Sequence, residues 1–174
     1  MKKIFCFIIL VILLTSCKKQ NTSVIWDEDF KNQGTLSVTS TSIDSGFWRE
    51  DIGKNFGNRT PEITYTQKKE AAVYVVYMID ESANNFMHWK LTDVKGNHLP
   101  IGINAGEYIG PYPPKGQTHD YYIYVFALKE PLQEYPGTYN SPSLSAKNIY
   151  ELLNKSDKEN NVISYGYISA KYKA

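Results

Sequence analysis

The sequence is short of cysteine and histidine and has no basic field, and each shortage closes off a class of function. Cys6 and Cys17 are the only cysteines in 174 residues, and both lie at the N-terminal end. With Cys6 lost in a cleaved leader and Cys17 modified, the mature chain keeps no thiol. That excludes a disulfide staple, a cysteine nucleophile and a thiolate metal site. Once Lys2 and Lys3 are set aside with the leader, 17 basic side chains face 18 acidic ones, a net of −1. Such a balance offers no patch for nucleic acid. The longest apolar run, Ile4 to Leu14, falls short of the roughly 20 residues that span a bilayer. There is no internal repeat, no G-x-S-x-G elbow and no short-spaced metal-ligand motif, so neither a metal nor another cofactor is expected.

What is present starts with a leader. Lys2 and Lys3 precede the apolar run, which ends in Leu14-Thr15-Ser16-Cys17. This order resembles a bacterial lipobox and implies a signal peptide over 1–16, cleavage before Cys17, and lipidation of its sulfur and new amino terminus. Several acyl chains hold a protein to a bilayer far better than one. The expected location is the bacterial cell envelope, extracytoplasmic and lipid-anchored. A polar tether follows to residue 33, with Val24, Ile25, Trp26 and Phe30 at its end suited to pack against a domain over 34–174.

Within that domain the patterning is mostly strand. Leu36–Thr41 alternates apolar and polar, Phe47–Arg59 reads as a long loop, and Thr60–Tyr65 as a short strand opened by proline. Ala71–Asp80 is nearly continuous in apolar and aromatic residues, as a central strand must be. Met87–Val94, Tyr121–Leu128 and Val162–Tyr172 are further strands. Ser143–Leu153 is the one helix candidate, with Ser143 or Ser145 as cap and Ile149, Leu152 and Leu153 as its stripe. The expected fold is mainly β, an antiparallel β-sandwich with a short helix near the C-terminus.

The chemistry gathers around Gly110-Pro111-Tyr112-Pro113-Pro114-Lys115-Gly116, a stiff loop with three prolines and two glycines. It delivers His119 and Tyr121, two residues apart and so on one face of the strand that follows. Asp80 closes the apolar strand, either as a turn residue or as a placed functional group. His88 lies in the next strand, whereas His98 sits in a turn-like stretch and is expected to be exposed. If the strands neighbour one another, Asp80, His88, His119, Tyr121 and loop N–H groups around Gly110 form an anion pocket. Its donors suit phosphate or carboxylate oxygens. Asp80 would then orient one histidine or accept from a ligand ammonium.

These residues resemble the phosphatidylethanolamine-binding protein family, in particular its bacterial Raf-kinase-inhibitor-like branch. The family's first motif, Asp-Pro-Asp-x-Pro then His and an aromatic, is matched by Asp80-Glu81-Ser82-Ala83-Asn84 then His88-Trp89. The second, Tyr-x-Gly-Pro-x-Pro-Pro-x-Gly with His-Arg-Tyr, is matched by Tyr108 to Gly116 and His119-Asp120-Tyr121. The resemblance implies a β-sandwich with a shallow pocket for phosphate-type groups, including phospholipid headgroups. Asp80, His88, Gly110, Pro113, His119 and Tyr121 would line it, with Tyr112 narrowing its mouth or stacking on a ligand. Ser82 in place of the second Asp removes an acceptor for a ligand ammonium. Asp120 in place of Arg removes positive potential.

The resulting expectation is a membrane-anchored binding protein, not an enzyme, that takes a small phosphate-bearing or other anionic ligand. The alternative is an inhibitor-like protein-interaction module that uses the rim loops 81–86 and 108–120. A third reading, a hydrolase with His88 or His119 as general base, lacks an evident nucleophile.

Overall fold

The computed structural model describes residues 27–103, 105–155 and 160–174. The expected leader, Cys17 and the start of the tether lie outside the described residues. The first described element is a short helix, α1 (Asp27–Asn32). Phe30 anchors it: its ring stacks on Tyr165 at 4.4 Å, and its carbonyl accepts from the Tyr165 hydroxyl at 2.7 Å. The end of the expected tether therefore packs on the domain.

Two sheets form the body. The smaller has the order β1 (Val38–Thr39), β4 (Ile63–Tyr65), β7 (His98–Leu99). The larger runs β2 (Ile43–Asp44), β3 (Phe47–Trp48), β10 (Val162–Lys173), β9 (Thr118–Leu128), β5 (Val73–Asp80), β6 (Phe86–Val94), β8 (Glu107–Tyr108). Neighbours pair antiparallel except β3 with β10, which are parallel through Phe47 and Lys171. The mainly-β sandwich expected from the sequence is the observed fold.

β5 and β9 lie at the centre and are buried on both faces, which is why their sequences are apolar without alternation. Tyr74, Val76 and Met78 of β5 join Ile123 and Val125 of β9 under the smaller sheet. Val75, Tyr77 and Ile79 join Tyr124 and Phe126 on the opposite face. There they meet Phe30 of α1 and the apolar side of α2 (Ala146–Asn154). Ser145 caps α2 by accepting from the Asn148 N–H.

Two local expectations are corrected, and the position of Pro61, which suits either an edge or a strand start, is settled. Phe47–Arg59 is not all loop: Phe47 and Trp48 form β3, and Glu50–Ile52 forms a 3-10 turn whose Ile52 is buried. β4 is the middle strand of its sheet, so Pro61 marks a strand start and not an edge. The buried side of α2 is Ala146, Ile149 and Leu153, and Leu152 is 49% exposed. Residues 146, 149 and 153 pack on the larger sheet, whereas 152, although three positions from 149, lies at the flank of that stripe.

Candidate ligand-binding pocket

The pocket forms where β5, β6 and β9 end together. Asp80 pairs in register with Tyr121 on one side and Phe86 on the other, so these side chains start level. Asp80 makes no cap to the 3-10 turn Glu81–Ala83 that follows. The reversal is carried instead by Asn84 and Asn85, both left-handed with φ of 54° and 56°. Of its two readings, Asp80 therefore takes that of a placed side chain, and it is 2% exposed.

A β-bulge places His88. Met78 pairs with Trp89 and Ile79 with Met87, so β6 uses one residue more than β5, and the extra residue is His88. A bulge re-aims a side chain beside a site. The His88 ring then meets Tyr121 at 5.1 Å, Phe86 at 4.9 Å and Tyr112 at 5.5 Å. Its Nδ1 lies 2.9 Å from the Ile109 carbonyl. A carbonyl only accepts, so Nδ1 carries the proton and, in the neutral ring, Nε2 is left as an acceptor.

His119 stands opposite. Its Nδ1 donates to Asp80 Oδ2 at 2.7 Å, and its Nε2 is 3.0 Å from the Gln117 amide oxygen. The other Asp80 oxygen, Oδ1, is buried and accepts no hydrogen bond of good geometry among the described residues, with the Tyr121 phenol close to the same carboxylate. Asp80, His88, Tyr112, Pro113, His119 and Tyr121 all border one open cavity of about 240 Å³. Ala83, Phe86 and Pro114 complete its wall, so most of its surface is apolar with a few polar groups at the floor, as small-ligand sites are.

Burial and the neighbouring carboxylates set the charge states. Burial pushes the Tyr121 phenol up, and the Asp80 carboxylate adds to the shift. Burial holds the His88 imidazole below its usual value, outweighing the Ile109 carbonyl and Asp80, which act the other way. His88 is thus neutral in the folded protein at neutral pH. An unfolded chain protonates this histidine below its ordinary pKa of about 6.5, where the folded chain resists. The unfolded state then binds more protons, so stability is full above about pH 6.5 and falls as the pH drops. His88→Gln should flatten this acid limb by up to about 1.4 kcal/mol per pH unit in urea unfolding between about pH 5 and 7.5. An identical slope in the variant would remove this account of His88.

Gly110 serves the site differently from an anion donor. Its N–H already donates to Asn58 Oδ1 at 2.7 Å. Its value is closeness: a Cβ there would fall on the Ile52 carbonyl and 2.6 Å from the Lys54 nitrogen. Two backbones cross at this point. The crossing is fastened by Lys54 N–H to the Pro111 carbonyl at 3.0 Å and by the Tyr108 hydroxyl to the Ile52 carbonyl at 2.8 Å. Tyr112 is held edge-on to Phe86 and His88, and Lys54 Nζ lies 4.2 Å from its ring centroid.

The departures from the family motif are absorbed locally. Ser82 Oγ accepts from the Asp120 N–H at 3.0 Å. The Asp120 carboxylate pairs with Lys171 at 2.8 Å on the exposed side. His98 is 55% exposed and bonds to Thr64 and Glu62, away from the pocket, as the sequence predicts. Lys54, Asn58 and Gln117 are absent from the sequence-based expectation. Gln117 was within reach of an argument from spacing, since it is two residues before His119.

Comparison with known proteins agrees with this fold. No curated protein matches the chain. A crystal structure described as a putative phosphatidylethanolamine-binding protein homolog, CT736 from Chlamydia trachomatis, superposes with a TM-score of 0.61 at 16% identity, covering 81% of this chain and 99% of that one. E. coli YbcL, described as a new member of the mammalian family, superposes with a TM-score of 0.58 at 21% identity, covering 80% and 98%. The sequence model of the phosphatidylethanolamine-binding protein family matches residues 26–165, a span that holds both motifs and every pocket residue, and the chain belongs to that family.

Proposed function

We propose that the domain binds, without turnover, a small phosphate-bearing ligand that also presents a hydrogen-bond donor. The observation that carries this reading is the pairing at the pocket floor. Asp80 Oδ1 is buried and accepts no hydrogen bond of good geometry among the described residues, while His119 and the Gln117 amide stand at the more open edge. An unmet buried acceptor costs about 1–3 kcal/mol, and a ligand donor recovers part of it. A monoprotonated phosphomonoester offers a donor and acceptors together. So does a phosphodiester headgroup that carries a hydroxyl or an ammonium. Acetate, ionised at neutral pH, offers acceptors alone. The family, which is named for a phospholipid, supports the same class of ligand. A lipobox ending in Cys17 would hold the pocket close to a bilayer in the bacterial envelope.

The test is a thermal-shift titration of the purified protein with inorganic phosphate and with acetate, beside His119→Ala. Saturable stabilisation by phosphate alone is expected. The charge-assisted bond lost in the variant weakens phosphate binding by about tenfold or more. The apo melting temperature of the variant shows separately whether it folds. If phosphate leaves the unmutated protein unchanged, the proposal fails.

A further inference from the structure

We propose that Lys54 sets the charge preference of the pocket, favouring phosphate ligands whose remainder is neutral or anionic over those that carry an ammonium. This rests on the phosphate reading above and concerns a residue that neither family motif contains.

Most charged side chains around the cavity already have partners. The buried Asp80 carboxylate at the floor faces His119, and Asp120 is spent on Lys171. Lys31 is spent on Glu81 at 2.6 Å, and Arg49 and Arg59 both bridge to Asp51. Lys54 makes no ion pair with a carboxylate among the described residues, and it is exposed. Its ammonium lies over the face of Tyr112, a wall of the cavity. A cation resting on an exposed aromatic face gains only about 0.5–1 kcal/mol. It is therefore free to leave that face for a phosphate oxygen that offers more.

Its backbone, in contrast, is fixed. The Lys54 N–H holds the Pro111 carbonyl, and Asn58 holds Gly110 from the same segment. The ammonium is not part of the cavity lining but rests against one of its walls, Tyr112, on a rigid root and a flexible four-carbon stem that lets it swing toward the mouth. A ligand ammonium emerging there meets a like charge, whereas a glycerol or a second anionic group does not. Lys115 provides the contrast. It follows Pro114 in the same loop and is exposed, but it makes no ring contact with the pocket.

The experiment titrates the full-length protein in detergent with glycerol 3-phosphate, phosphoethanolamine and inorganic phosphate, followed by phosphorus NMR. The variants are Lys54→Gln, Lys54→Glu and Lys115→Gln. The unmutated protein is expected to prefer glycerol 3-phosphate to phosphoethanolamine by about threefold to fivefold, the scale of one exposed charge interaction. Lys54→Gln should bring the two to parity, Lys54→Glu should invert the order, and Lys115→Gln should leave it alone. Competition between inorganic phosphate and short-chain phosphatidylglycerol separates a free phosphate from a lipid headgroup as the source of the ligand chemistry. A preference unchanged in Lys54→Glu, or altered as much by Lys115→Gln, overturns the assignment while leaving the phosphate pocket standing. If no phosphate compound binds the unmutated protein, the pocket reading itself falls and takes this one with it.

Discussion

Gly110→Ala is expected to lower the stability of the fold by about 3 kcal/mol and to abolish phosphate binding. The added carbon would meet backbone and not a side chain that can swing aside: the Ile52 carbonyl, the Lys54 nitrogen at 2.6 Å and the Gly53 carbonyl carbon at 2.7 Å. Relief requires the two segments to part. Parting them stretches the Gly110–Asn58 and Lys54–Pro111 hydrogen bonds and shifts Tyr112, a wall of the cavity. The measurement is urea unfolding, where the midpoint should fall with the slope unchanged. Gly116→Ala is the control. Gly116 has φ of 78° and nothing within 4 Å of a Cβ, so its cost is conformational alone, about 1–2 kcal/mol. Its pocket should still bind. Equal losses in the two variants would mean that the close crossing is not what Gly110 provides.

Trp89→Ala is expected to cost about 3–5 kcal/mol, which would leave much of the chain unfolded near 37 °C if total stability stands at the low end of the usual range, about 5 kcal/mol. Trp89 is fully buried, lies edge-on to Tyr108 at 5.8 Å, and donates its indole N–H to the Ala105 carbonyl at 3.0 Å. Truncation opens a cavity and leaves that carbonyl without its donor. It also loosens the residue next to the bulge at His88, so binding should weaken more than stability alone explains. Trp89→Phe, which keeps a ring, should recover more than half of the lost stability in a thermal melt. Recovery no better than with alanine would count against packing as the cause.

The residues of the floor were legible in the sequence because each had a local mark. Asp80 closes an apolar run, and His119 and Tyr121 share a strand face. The Pro-rich loop could be neither helix nor central strand. His88 was found as a residue, but the bulge that aims it was not, because an extra residue in one strand is defined only by its partner. The rim was illegible for a similar reason. Lys54 and Asn58 sit in a polar stretch that reads as loop, and their role exists only once that stretch is seated on residues 108–112. Phe47 and Trp48 were missed as a strand because two residues carry no period. The exposure of Leu152 follows from which helix faces find partners, and helical spacing alone does not settle that.

The pairing of β10 with β9 has a further consequence, for the order in which the protein assembles. The strand partner of His119 is Tyr172, and that of Thr118 is Lys173. The other pocket components come from segments around residues 54, 80, 88 and 112, so the site depends on loop closures across much of the chain. Such non-local topologies fold slowly, on the millisecond-to-second scale. A chain emerging N-terminus first can pair β9 with β5, but the end of β9 that carries Thr118 and His119 gains its own strand partner only when residues 172 and 173 are available. The pocket therefore cannot act as an early folding template. A ligand that requires it rewards only the completed structure, and the free energy of binding is felt across the whole domain at once.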